Sequence, residues 1–63
     1  MTEQEQLIQE IREWLGNMPR TRMIESLMTA THLGQSYSIP VDEIQKIIIQ
    51  EANTAGFQVS TKR

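Results

Sequence analysis

The pattern of apolar and polar residues along the chain predicts three helices. The first is predicted over residues 2–15, because apolar side chains recur there at the spacing of one helix face, namely at Leu7, Ile8, Ile11, Trp14 and Leu15. Thr2, followed three residues later by Glu5, matches a capping box, which satisfies free amide groups at a helix start. Gly16 stands where helices often end in a left-handed residue, so we expect this helix to stop there.

Proline and glycine mark the bounds of the second and third helices. Pro19 suits the first turn of a helix, and Gly34 suits a helix end. A second helix is therefore predicted over residues 19–33, with apolar positions at Met23, Ile24, Leu27, Met28 and Ala30. In the same way Pro40 predicts a third helix over residues 40–54, with an apolar stripe at Val41, Ile44, Ile48 and Ala52.

The C-terminal residues are predicted to be extended. Phe57-Gln58-Val59 alternates apolar and polar positions, as a short strand does, and residues 58–63 form a tail. The expected fold class is therefore all-α: a single domain over residues 1–63, built as a compact three-helix unit with a short extended C-terminal segment. Its core is expected to contain Leu7, Ile11, Trp14, Leu27, Ile44 and Ile48.

Two apolar residues fall outside the helical stripes. Ile49, the third of three consecutive isoleucines, lies away from the centre of its stripe, and Leu33 lies opposite the stripe of the second helix. A chain of 63 residues buries only about 60% of its unfolded surface, so domains of this size often need support from a partner. We therefore expect Ile49 and Leu33 to contact a protein partner, most simply in a homodimer. The alternative is that each is an ordinary exposed apolar residue.

Composition and charge exclude most other means of stabilising so small a domain and disfavour nucleic-acid or membrane partners. The chain has no cysteine and one histidine, which excludes disulfides and thiolate zinc sites, and we expect neither a metal nor a cofactor. The formal net charge of −2 gives no broad attraction to nucleic acid or to a membrane surface. No apolar run approaches the roughly 20 residues that span a bilayer, and the start, MTEQEQ, does not resemble a signal peptide. We expect a soluble, cytoplasmic protein.

The sequence shows no catalytic constellation. His32 is the one residue of a type that titrates near neutrality, and a histidine in the last turn of a helix is favoured there by the helix dipole when it is charged. Ser36 and Ser38, its neighbours along the chain, do not form a nucleophile motif. We therefore expect no enzymatic activity.

DNA binding is the alternative function. The spacing from Ala30 to Gly34 is found at the corner of helix-turn-helix motifs, and three helices suit a small regulator of that kind. Residues 34–39 make the connection longer than the usual 3–4-residue turn, and Asp42 and Glu43 at the start of the third helix would repel phosphates. A helix-turn-helix-like DNA-binding transcriptional regulator is therefore the disfavoured alternative.

Further partner contacts are expected at residue types that are common in interfaces. Tyrosine and arginine often dominate binding energy, and methionine adapts its shape to different surfaces. The full set of candidate partner-binding residues is Ile49, Leu33, Met28, Tyr37, Arg20 and Arg22. The favoured function is a small non-enzymatic protein–protein interaction module, either an adaptor, an inhibitor or a regulatory subunit, which acts through an exposed apolar helix face.

Overall fold

The computed structural model describes residues 2–60, which form three helices and two very short strands. In chain order the elements are α1 (Glu3–Gly16), β1 (Ile24–Glu25), α2 (Ser26–Gly34), α3 (Val41–Ala55) and β2 (Val59–Ser60). The mostly helical, three-helix architecture agrees with the prediction. The two strands pair in parallel, and this small sheet was not part of the all-α expectation.

The first helix begins as its sequence predicts and ends differently. The hydroxyl of Thr2 accepts a hydrogen bond from the backbone N–H of Glu5 at 3.2 Å, as a capping residue does. Gly16 is the last helical residue, but the expected left-handed conformation at this position was wrong, because Gly16 has no positive φ. Instead Asn17 caps the helix at φ −96°, and its side-chain amide donates to the carbonyl of Glu13.

The second helix is shorter than predicted. Instead of running over residues 19–33, it begins at Ser26, after a turn in which the N–H of Arg22 donates to the carbonyl of Pro19 at 3.1 Å. The N–H of Ile24 donates to the carbonyl of Gln58 at 2.8 Å, and the Ile24 side chain is only 1% exposed. This pairing with a distant segment overrides the local helical pattern, as tertiary contacts often override propensity.

The parallel sheet holds the C-terminal segment against the chain before α2. Ile24 pairs with Val59, and Glu25 pairs with Ser60. Phe57 is 6% exposed, Gln58 is exposed and Val59 is half-buried, so the predicted alternation is confirmed. The strand itself is Val59–Ser60, so of the predicted strand residues 57–59 only Val59 belongs to it. Residues 61–63 of the predicted tail lie outside the described residues.

A buried serine joins the sheet to two helices. Ser26, the first residue of α2, is fully buried, and its hydroxyl donates to the carbonyl of Ser60 at 2.8 Å. The same hydroxyl accepts a hydrogen bond from the side-chain amide of Gln45 on α3 at 3.2 Å. A single buried hydroxyl therefore joins half-buried polar groups of β2 and α3.

Replacing Ser26 by alanine is expected to lower the free energy of unfolding by about 1–3 kcal/mol, because the Ser60 carbonyl and the Gln45 amide each lose a partner. Urea unfolding followed by circular dichroism measures this loss. The matched control is Ser36→Ala at an exposed position, where a change within about 0.5 kcal/mol is expected. Equal effects of the two substitutions would contradict a structural role for the buried hydroxyl.

The third helix and the core follow the prediction closely. Pro40 precedes α3, and the helix ends before Gly56, whose φ of 88° is the left-handed conformation that glycine favours. Four of the expected core residues are buried: Leu7, Ile11, Ile44 and Ile48. Trp14 is half-buried and packs against this core, so the prediction is confirmed in part for it, whereas Leu27 is half-buried and is not among the described residues that pack on the core. The core also buries Leu15, Ile24, Ala30, Ala52 and Phe57.

The three consecutive isoleucines of α3 occupy three different environments. Ile48 is 0% exposed within the core, and Ile47 is half-buried and packs against the core. Ile49 is also half-buried, but it is not among the described half-buried residues that pack on the core. The placement of Ile49 away from the core agrees with its position off the apolar stripe of the helix.

Candidate protein-interaction groove

An open groove of about 620 Å³ lies between α1 and α2, and its lining is mostly apolar. A smaller hollow of about 200 Å³ continues from it and shares Trp14, Met28 and Thr29 with it. We call the two together the α1–α2 groove. Its other residues that matter below are Glu10, His32 and Leu33 in the larger part and Met18, Arg22, Met23 and Glu25 in the smaller part.

Two exposed methionines contribute apolar surface to this groove. Met28 is 68% exposed and Met23 is 54% exposed, although both belong to the apolar series that the sequence predicted for the second helix. Met23 lies in the irregular segment between the turn at residues 20–22 and β1, rather than in a helix. The unbranched thioether of methionine fits surfaces of different shape, so the two side chains form an apolar surface that can adapt to a partner.

Trp14 forms part of the groove on the α1 side. Its neighbours Ile11 and Leu15 are buried, whereas Trp14 lies at the edge of the buried face and is half-buried. The indole packs against the core and also lines the groove. Tryptophan is one of the residue types enriched among those that dominate binding energy at interfaces. This chain has a single tryptophan, so its fluorescence reports directly on the groove.

Charged side chains lie at the two ends of the groove. Glu10 and His32 line one end, and Arg22 and Glu25 line the other, and all four are exposed. The one ion pair within residues 2–60 joins Arg12 to Glu51 at 2.7 Å. None of these four side chains therefore forms an ion pair in the part of the chain that the structure describes.

The structure brings together three of the six candidate residues that the sequence indicated. Met28 and Leu33 line the centre and one end of the groove, and Arg22 lines the other end. Leu33 also packs against the core, so only part of it faces the groove. Arg20 instead lines a separate hollow with Arg12, Glu51 and Phe57, and Ile49 lies on α3 outside the groove. Partner contact at these last two candidates stays a prediction.

The sixth candidate, Tyr37, is half-buried and packs against the core. Its loop is held to α1 where the backbone N–H of Ser38 donates to the carboxylate of Glu3. The pKa of the Tyr37 phenol is raised above 10.0, first because burial disfavours the phenolate and then because Glu10 disfavours it by its charge and its hydrogen bond. Glu3 adds a smaller charge effect. Tyr37 thus packs its loop against the core, and its contact with a partner stays a prediction.

Alkaline titration is expected to show the raised pKa of Tyr37. Because the pKa of the folded state exceeds that of the unfolded state, the contribution of this group to stability is present below about pH 10 and is lost as the pH rises through the raised pKa. Tyr37 is the only tyrosine, so phenolate absorbance follows this one group. In the Tyr37→Phe variant the stability should no longer fall over this pH range. If the phenol titrated at or below its ordinary pKa, the proposed effect of burial and of the nearby Glu10 and Glu3 would be wrong.

Two groove residues were missed as partner-binding candidates from the sequence. Trp14 was assigned to the core because it follows the apolar spacing of the first helix, and Met23 was assigned to a helical stripe that does not form. The signal for Met23 was its place close after Pro19-Arg20-Thr21-Arg22, where two arginines oppose the dipole of the predicted helix start. That conflict disappears in the structure because the helix begins later.

Comparisons with protein-family models, with curated proteins and with solved structures found no match for this chain. Each helix within residues 2–60 is too short or too polar to cross a bilayer. The interpretation of function therefore depends on the geometry of the groove.

Proposed function

We propose that this chain is a small non-enzymatic protein–protein interaction module whose α1–α2 groove receives apolar side chains of a partner protein. The observation that carries the proposal is the exposure of Met28, which is 68% accessible beside the indole of Trp14. Fully burying a methionine side chain is worth about 1.5–3 kcal/mol. The methionines and Trp14 together therefore offer enough apolar surface to support specific binding.

The shape of the groove suits an apolar helix face or an extended apolar segment. A groove between two helices commonly receives an amphipathic helix, whose apolar side chains fill it while its polar face stays in water. Such binding fits an adaptor, an inhibitor or a regulatory subunit, and a homodimer is one form of it. The absence of cysteine from the sequence supports the cytoplasm as the compartment.

A DNA-binding regulator is the second candidate. The observation in its favour is that α2 and α3 pack directly against each other across the connection at residues 35–40. Asp42 and Glu43 oppose it, because both are exposed in the first turn of α3, where a recognition helix approaches phosphates and base edges. Binding to duplex DNA that weakens steeply with salt would support this candidate, and no binding at low salt would remove it.

Affinity capture from the native cell tests the main proposal. The bait is the full chain in three forms: wild type, Met28→Glu, which places a charge in the groove, and Gln50→Glu, which places the same charge at an exposed position on α3. We expect a protein that wild type and Gln50→Glu retain and that Met28→Glu loses. Retention of every captured protein by Met28→Glu would reject the groove as the binding surface.

A further inference from the structure

Three of the four methionines in this chain recur at a spacing of five residues, at Met18, Met23 and Met28. Along a single helix this spacing would turn successive side chains about 140° apart, so the three could not share one face. The structure instead places Met18 after the end of α1, Met23 before β1 and Met28 within α2. With the turn at residues 20–22 between the first two, all three side chains line the same hollow of about 200 Å³.

The three thioethers differ in how firmly the fold holds them. Met18 is half-buried and packs against the core, so it forms a fixed wall of the hollow. Met28 and Met23 are 68% and 54% exposed, so both side chains have room to change rotamer. Methionine is unbranched and has three rotatable bonds. The two exposed sulfur atoms can therefore turn toward the sulfur atom of Met18.

We propose that this hollow binds copper(I), a soft monovalent metal ion, through the sulfur atoms of Met18, Met23 and Met28. Thioether sulfur is a soft ligand, and soft sulfur ligands select copper(I) over magnesium, calcium or manganese. Each sulfur donates a lone pair to the metal and releases no proton, and the oxidation state of the metal does not change. The sequence-based expectation of no metal considered thiolate and imidazole ligands, whereas thioethers hold a different class of ion.

The other polar side chains of the hollow do not suit a harder ion. They are those of Arg22, Glu25 and Thr29. Calcium takes about 6–8 oxygen ligands, and zinc is held by thiolate, imidazole and carboxylate groups, so a lining with one carboxylate suits neither. Arg22 and Glu25 carry opposite charges, so together they add no net charge that would repel a monovalent cation.

The indole of Trp14 lines the same hollow, so a metal ion held by the three sulfur atoms would lie close to it. The face of an aromatic ring attracts a cation, and tryptophan does so most strongly. Trp14 thus adds an attraction that needs no further ligand atom. It also supplies a signal, because bound copper(I) is expected to quench the emission of this single tryptophan.

Titration of the full chain with copper(I) tests the site. The metal is supplied as copper(II) sulfate with excess ascorbate under argon, and bicinchoninate serves as the competing chelator. We expect quenching of the Trp14 emission that saturates at one copper ion per chain. X-ray absorption at the copper edge is expected to show three sulfur neighbours, one from each methionine of the hollow.

Single replacements by leucine remove one sulfur atom at a time. Met18→Leu, Met23→Leu and Met28→Leu keep a similar apolar volume, a change that proteins tolerate well. Each is expected to raise the dissociation constant for copper(I) at least about tenfold, since even groups outside the ligand set contribute that much to metal sites. Circular dichroism checks that each variant is folded. Met23 and Met28 are exposed, so the test stands at these two positions even if Met18→Leu does not fold.

Two further variants separate this site from other modes of copper binding. Gln50→Met adds a lone exposed thioether on α3 and is expected to leave the stoichiometry at one copper ion per chain. His32→Gln removes the only imidazole, which lines the adjoining part of the groove but not this hollow. We expect it to bind copper(I) as tightly as wild type.

Several results would overturn the three-sulfur site. They are quenching that does not saturate, wild-type affinity in any folded leucine variant, a second copper ion bound by Gln50→Met, and loss of binding in His32→Gln. The inference does not rest on the proposed function, and Met28→Leu separates the two. This variant keeps the apolar surface of the groove, so it is expected to retain the captured protein while losing copper(I). If Met28→Glu loses no captured protein, the proposed function fails whatever the copper result.

Discussion

Replacing Ile48 by alanine is expected to lower the free energy of unfolding by about 3–4 kcal/mol. The side chain is 0% exposed and lies in the core with Ile44 and Ala52 of the same helix. Removing three carbons there gives up their burial and leaves a cavity. Because a domain of this size has a total stability of only several kcal/mol, much of the Ile48→Ala protein should be unfolded at room temperature.

The control for this experiment is the same substitution one residue further along the chain. Ile49 is half-buried and does not pack on the core among the described residues, so Ile49→Ala is expected to lower the free energy of unfolding by less than about 1 kcal/mol. Urea unfolding of both variants at one fixed protein concentration keeps any contribution from self-association equal. Similar losses at the two positions would contradict the assignment of Ile48 to the core and Ile49 to the surface.

Replacing Met28 by glutamate is expected to weaken binding to a protein partner by at least about a hundredfold. In the complex the carboxylate would be buried against Trp14 without a cationic partner at the groove centre, and burial of an unpaired charge costs several kcal/mol. Glutamate and methionine have similar helix propensities, and the side chain is exposed in the free chain. The substitution should therefore leave the fold and its stability almost unchanged.

The measurement for Met28→Glu is the Trp14 emission, followed as the captured partner is added, or as the chain is diluted when the partner is a second copy. Gln50→Glu adds the same charge at an exposed site on α3 and is expected to bind like wild type. Ile49→Glu tests whether the α3 surface takes part, since Ile49 lies outside the groove. If Met28→Glu bound normally and Ile49→Glu did not bind, the result would show that the partner binds α3 and not the groove.

The helices that the sequence predicted well are those whose bounds are set locally. Thr2 caps the N-terminal end of α1, and Gly56 ends α3 in a left-handed conformation. Both helices bury one regular stripe, so the 3.6-residue period identifies the buried residues. These features depend on side chains within a few residues of one another, which is why a single sequence reveals them.

The sequence alone does not reveal that the first half of the predicted second helix is not helical. Its true state depends on Ile24, whose N–H pairs with Gln58, more than thirty residues away along the chain. The residues near Ile24 do not indicate this contact, because the apolar spacing of Ile24, Leu27 and Met28 also fits a helix. Only the unfavourable position of Arg20 and Arg22 in the predicted first turn pointed away from a helix there.

The candidate site was predictable in part. Met28 and Leu33 were chosen because they lie at the edge of a helical stripe or outside it, and the structure places both in the α1–α2 groove. The groove itself depends on how α1 and α2 each pack on α3, which no local pattern specifies. Trp14 shows the difference: its spacing is that of a core residue, yet its indole also lines the open groove.

Photo-cross-linking in the native cell tests whether the groove binds a protein, with a photoreactive amino acid in place of Met28 and, separately, in place of Gln50. We expect a covalent adduct with one defined polypeptide from position 28 and none from position 50, because a partner covers the groove and not the exposed side of α3. An adduct at twice the mass of the chain identifies a second copy as that polypeptide. No adduct from position 28, or the same adduct from both positions, would contradict the claim that this groove binds a protein.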